Sequence, residues 1–239
     1  MSAAAAASSG FVLVHGAWHG AWCWRRVLGS LREAGHQAFA VSLSGVGERV
    51  HTPVAPITLQ THIDDVVAVV EAEELDRVVL VGHSYAGMVI SGAADRLATR
   101  LRRLVYLDAI VPLPGECWSS TQAEAVQRER RAAIARDAVI APPDPAVFGL
   151  GGADHAWVAR RQTPHPGGVY DDPLQFDAAR WQALPRSFID CDRPALATID
   201  ASRQRAREQP GWDLHRIPTG HDAMVSAPDE LVRILLALA

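Results

Sequence analysis

Apolar residues fall along this chain in two alternating rhythms. Short unbroken runs, Phe11-Val12-Leu13-Val14, Val78-Val79-Leu80-Val81 and Leu104-Val105-Tyr106-Leu107, contain no charged residue. Runs of that length without polar alternation predict strands covered on both faces. Between them, apolar positions recur at helical spacing, as at Ile63, Val66, Val67 and Val70. The pattern predicts strands over 11–14, 37–42, 77–81 and 104–107, and helices over 24–32, from Thr58 onward, and over 85–97. Gly35 closes the first of these helices and Thr58 caps the second. The rhythm resumes near the end of the chain, with strands over 187–191 and 212–217 and helices over 197–207 and 228–238. Strand alternating with helix implies a mostly parallel sheet with helices on both faces, an α/β fold.

One segment breaks the rhythm. From Val111 to about Arg186 the chain is punctuated by prolines, with a charged helix expected over 119–138 and a shorter one over 153–161. It is too long for a loop and too interrupted for further strand–helix units. Trp118, Phe148, Trp157, Tyr170, Phe176 and Trp181 lie in it, and disordered segments are poor in aromatics. The expected organisation is therefore a flexible leader over 1–9, a core formed by 10–110 and 187–239, and a cap over 111–186 laid across the strand ends.

Composition narrows the function classes. With 239 residues, 49% of them hydrophobic, the chain can bury one large core. A net charge of -4 with mixed signs argues against a nucleic-acid partner. No apolar run is long enough for a membrane span. The alanine-rich start lacks the charge pattern of a secretion signal, and the three scattered cysteines, Cys23, Cys117 and Cys191, suit a reducing compartment, so the expected location is cytoplasmic. Neither a cofactor nor a metal is expected. His15 and His19 are four apart but lie in a loop with no third ligand, and the glycine-rich turn at 82–87 lacks the lysine of a phosphate-binding loop. The long cap makes a second copy of the chain a candidate partner.

The chemistry centres on Gly82-His83-Ser84-Tyr85-Ala86-Gly87, where a buried strand turns sharply into a helix. Small residues flank such a turn because larger ones would collide with neighbouring backbone. The apical side chain is then held out over the end of the sheet, as in the G-x-S-x-G nucleophile elbow. Here Ala86 replaces the last glycine of that pattern. A serine hydroxyl needs a base, and His221, in the loop Gly220-His221-Asp222 after the last strand, is placed to supply it. The residues leave the orienting acid open. Asp192 is the first choice, lying just past the 187–191 strand; Asp108, ending the 104–107 strand, is the rival. Asp190 is expected to sit within its strand and face away. Backbone N–H groups of Ala17 and Tyr85 are the candidate oxyanion donors. Gly16, Trp18, His83, Trp118 and Trp157 are the candidate pocket residues.

Phe11 to Trp22, with its His15-Gly16-Ala17-Trp18-His19-Gly20 turn, resembles the opening of the hydroxynitrile lyase/methylesterase branch of the α/β-hydrolases. So do Val79 to Met88 and Gly220-His221-Asp222. The resemblance covers nearly the whole chain and is weakest in the cap. It implies an α/β-hydrolase fold and a Ser84–acid–His221 triad, with the acid where Asp192 stands. Lyases of that branch carry threonine at the position of Gly16 and lysine at the position of Asp222. This chain has neither, so the resemblance implies hydrolysis of small carboxylic esters through an acyl-enzyme. A lyase-like activity and a ligand-binding receptor are the alternatives on the same scaffold.

Overall fold

Six strands form the sheet at the centre of the computed structural model, which describes residues 9–239. The leader expected at 1–9 lies, apart from Ser9, outside the described residues. The strands are β1 (Gly10–Val14), β2 (Gln37–Val41), β3 (Val78–His83), β4 (Leu101–Leu107), β7 (Arg186–Cys191) and β8 (Trp212–Ile217), in the order β2-β1-β3-β4-β7-β8. Every neighbouring pair is parallel. β1 and β3 are buried along their whole length, which is why their sequences carry unbroken apolar runs.

Helices α1 (Arg25–Glu33), α2 (Leu59–Ala72) and α3 (Ala86–Leu97) connect the first four strands. The chain steps one way from β1 to β2 and the other way from β2 to β3. With right-handed crossovers this places α1 and α2 on opposite faces. α2 packs on α3, and α1 packs on the closing helix α9 (Pro228–Ala237). Thr58 accepts from Thr61 N–H in a reciprocal capping box, as its position predicted. The reversal of direction opens a crevice at the carboxyl ends of β1 and β3, where parallel sheets carry their sites.

Between β4 and β7 run α4 (Glu124–Asp137), the two-stranded ribbon β5 (Val139–Ile140) and β6 (His165–Pro166), α5 (Gly152–Ala159) and α6 (Ala178–Ala183). The helix expected from 119 begins instead at Glu124, after a separate 3₁₀ turn over Trp118–Thr121. α6 packs on α3, so the end of this segment rests on the core. Beyond β7, α7 (Asp200–Glu208) leads to β8, and the short α8 (Ala223–Ser226) follows it. Among the described residues no helix is long and apolar enough to cross a membrane.

Candidate active site

Ser84 stands at the turn from β3 into α3 with φ 55°, a left-handed conformation that a serine adopts only when its surroundings impose it. Its backbone is fixed on both sides, since Ser84 N–H donates to the Leu107 carbonyl at 3.3 Å and its carbonyl accepts from Ile110 N–H at 3.0 Å. The substitution at Ala86 is harmless because the close approach falls one residue later. A Cβ on Gly87 would run into the Ile110 carbonyl oxygen. Two other residues with positive φ stand beside Ser84's turn, Trp18 at 65° and Asp108 at 40°.

His221 Nδ1 lies 2.6 Å from Asp108 Oδ2. With a carboxylate there, Nδ1 carries the proton and Nε2 is the nitrogen free to exchange one. Asp108 is fully buried at the end of β4, the strand next to Ser84's own. Its other oxygen accepts from Arg203 Nη2 at 2.7 Å. Arg203 also donates to Asp190 at 2.6 Å, to Asp200 at 2.7 Å and to the Leu196 and Cys191 carbonyls. Buried carboxylates and guanidinium together satisfy charges that neither could carry alone in that interior.

The expectation that Asp192 orients His221 is therefore corrected. Asp192 lies past the strand end, as read, but its side chain turns outward and accepts from Arg216 Nε at 2.5 Å. That hydrogen bond, with the Arg216 charge, draws its carboxyl below the ordinary range. Asp190 does face away from His221, toward Arg203 and Arg207.

The loop after β1 touches the elbow directly. A Cβ on Gly16 would sit 2.8 Å from both Ser84 Cβ and His83 Nδ1, so this position has no room for a threonine. Ala17, the candidate donor, is buried in this loop, and Tyr85 opens α3, whose dipole is positive at that end. His19 ties the loop to the one carrying His221. Its Nδ1 lies 2.8 Å from the Ala17 carbonyl and its Nε2 3.2 Å from Asp222 Oδ2. Both partners accept, so His19 holds both ring protons and is an imidazolium. Burial opposes that charge, but the Asp222 carboxylate outweighs it and raises the His19 pKa. Burial likewise works against ionised Asp222, yet His19 brings its pKa down from 3.8 to about 2. His83 Nε2, meanwhile, donates to the His221 carbonyl at 3.1 Å, linking the residue before Ser84 to the histidine loop.

Removing one member of this buried pair strands the other. His19→Leu is expected to cost about 3–5 kcal/mol of stability, read as a fall in Tm of roughly 10 °C. The Asp222 contribution is present above the ordinary carboxylate value and is lost as pH falls through about 2. The His19 contribution is present below 6.5 and is lost as pH rises through its raised value. The stability difference between wild type and His19→Leu should consequently shrink on the alkaline side, which denaturant melts across pH would measure.

A cavity of about 140 Å³ opens at Ser84, walled by Trp18, Trp118, Phe148, Arg130 and Leu196 among others. Trp18 joins the loop after β1 to the segment above it, donating from Nε1 to the Ile140 carbonyl at 3.0 Å and from its backbone N–H to His165 Nδ1 at 3.3 Å. Three pocket expectations need correction. Gly16 does not line this cavity; it packs against Ser84 Cβ and His83. Trp157 does not line this cavity; it packs edge-on against Trp22 at 5.1 Å with Arg26 and Arg161 on its faces. His83 is buried behind the elbow instead of facing the cavity.

A sequence profile of the alpha/beta hydrolase family matches residues 11–234. The chain belongs to the alpha/beta hydrolase family. This hydrolase is 40% identical to the carbendazim hydrolyzing esterase of Nocardioides sp. (strain SG-4G), over 95% of its own length and 98% of that protein. It is 27% identical to esterase PIR7B of Oryza sativa subsp. japonica, with 96% and 95% covered. An extracellular alpha/beta-hydrolase from a Paenibacillus species shares its fold with a TM-score of 0.83 at 18% identity, over 97% of this chain and 99% of that one. Full-length similarity to named esterases makes the hydrolase an ester-cleaving enzyme.

Several residues that hold the candidate site together are invisible in the sequence pattern. Arg203 lies on α7 with no motif around it, and Phe148, whose carbonyl accepts from His221 N–H at 2.9 Å, lies in the irregular insertion. Two further buried histidines, His15 and His62, are held by backbone carbonyls. Burial lowers His15 to about 3 and His62 to about 4, and each donates to one carbonyl, Gly16 and Ser44 respectively. Among the described residues only His83, His221 and Asp222 bring three metal-ligating atoms within 4.8 Å of one another. Within that group His221 Nδ1 is already taken by Asp108.

Proposed function

We propose that the chain is a serine carboxylesterase that works through an acyl-enzyme on Ser84. The observation that carries this reading is the 2.6 Å contact between Asp108 and His221 Nδ1, buried beside a serine held at φ 55°. Ser84 Oγ attacks the ester carbonyl as His221 Nε2 takes its proton, and Asp108 stabilises the imidazolium so formed. The Ala17 and Tyr85 N–H groups face the negative charge that develops on the carbonyl oxygen. His221 then returns its proton to the leaving alcohol, and a water activated by the same nitrogen releases the acid.

Lyase chemistry fits less well. The Gly16 position is closed to a threonine, and the position following His221 holds a buried carboxylate paired with His19, where a cation would be needed. Incubation with p-nitrophenyl butyrate should give a burst of nitrophenol and an intact-protein mass raised by one butyryl group. A protein that releases no nitrophenol, or one whose Ser84→Ala variant releases it at the wild-type rate, contradicts the proposal. Carbendazim belongs in the wider substrate panel, because the Nocardioides relative is named for hydrolysing it.

A further inference from the structure

Arg130 is a cation without a counter-ion at the edge of the Ser84 cavity. Its guanidinium carbon lies 5.5 Å from the Trp18 ring centre, 5.1 Å from Trp118 and 5.6 Å from Tyr170. Nη1 is buried and makes no well-aligned hydrogen bond; the Tyr170 hydroxyl beside the guanidinium can accept from it but brings no charge. Other arginines of α4 are paired, Arg128 with Glu124 and Arg131 with Asp171. Among the described residues Arg130 makes no ion pair, and Glu129 beside it is exposed. Aromatic faces attract a guanidinium but do not satisfy its N–H groups. Since Trp18 and Trp118 also wall the cavity at Ser84, a molecule lying in it would pass between apolar surfaces with the serine at one end and an unpaired guanidinium at its side.

We infer that Arg130 recognises a carboxylate on the substrate, so that the preferred esters are aromatic half-esters: a flat ring, one ester group at Ser84 and one free carboxylate at Arg130. Such a molecule supplies the missing counter-ion, and its ring lies against the tryptophans. Arg suits this task because its planar fork can grip both carboxylate oxygens. The inference rests on the esterase reading above, and the two fail differently.

The test compares monomethyl terephthalate with methyl 4-methylbenzoate, which has the same outline but no charge, on wild type, Arg130→Gln and Arg130→Lys. A charge-assisted contact is worth roughly ten- to a hundredfold in kcat/KM, so wild type should favour the anionic ester by about that factor. In Arg130→Gln the ratio of the two kcat/KM values should collapse toward one, mainly through KM, and Arg130→Lys should restore part of it. Equal preference in wild type, or an unchanged ratio in Arg130→Gln, would overturn the inference and leave Arg130 as a clasp between the insertion and the loop after β1. Binding offers a readout that needs no turnover: monomethyl terephthalate should raise the Tm of Ser84→Ala protein, and the neutral ester should not. If wild type hydrolyses no ester at all, the esterase reading fails; if it hydrolyses neutral esters without regard to charge, only the carboxylate inference does.

Discussion

Ser84→Ala is expected to abolish ester turnover, lowering kcat by about 10⁵–10⁶-fold. The size follows from what the substitution removes. Among the described residues the other hydroxyl at the elbow, that of Tyr85, is buried against His62 Nδ1 at 3.0 Å, and burial pushes its pKa well above the ordinary phenol value; burial does the same to the Cys191 thiol. Without Oγ there is no covalent intermediate, and His221 is left only the slower activation of water. Alanine is smaller than serine and brings no new steric demand at φ 55°, so the fold and Tm should change little. Initial rates on p-nitrophenyl butyrate, with intact mass to show the missing adduct, provide the measurement. Residual activity above about a thousandth of wild type would mean that another group is the nucleophile.

The second large effect separates two aspartates. Asp108→Asn should lower kcat by about 10⁴-fold, whereas Asp192→Asn should leave kcat within roughly twofold. An amide at 108 can present its N–H to Nδ1, forcing the imidazole into the tautomer that cannot accept the serine proton at Nε2, and it no longer balances the imidazolium. Asparagine keeps the shape of the side chain, and Arg203 retains Asp190 and Asp200 as partners, so the folded protein should survive. Asp192 is held only by Arg216 at the surface, and the loss of one such exposed pair is worth little. A reversed pattern, with Asp192→Asn inactive and Asp108→Asn active, would remove the physical basis of the proposed mechanism. Steady-state kinetics of both variants on one ester decide it.

The choice between those aspartates also marks the limit of reading the chain by pattern. Both end strands and both precede His221, so order does not distinguish them, and the spacing implied by the family resemblance favours Asp192, which the structure turns away from His221. What distinguishes them is direction. At the end of β4 the backbone enters a left-handed conformation at Asp108, φ 40°, and stays buried beside the histidine loop, with Arg203 arriving from α7 behind it. At the end of β7 the chain turns outward at Asp192. Strand residues alternate faces, and a strand end can leave the sheet in any direction, so a shift of one residue exchanges an interior carboxylate for a surface one. Trp157 teaches the same lesson: it lies on α5, a helix of about two turns, too short for its apolar pattern to show which neighbour each face meets.

Local order did determine a great deal. Unbroken apolar runs fixed the buried strands, because only a strand covered on both faces tolerates them. The small residues around Ser84 fixed the elbow, because the turn leaves no space for larger ones. The positions of Ser84 after β3 and of His221 after β8 placed both at the carboxyl edge of the sheet, because every strand of a parallel sheet ends on the same side. Tertiary structure decided what depends on contacts between remote segments: that Asp108 is the carboxylate on His221, that His19 and Asp222 share a buried charge, and that Arg130 is left unpaired beside Ser84. The first two are matters of which charge lies within about 3 Å of which other in an interior that water does not reach, the third of which charge has none, and residues remote along the chain leave no trace of such distances in their order.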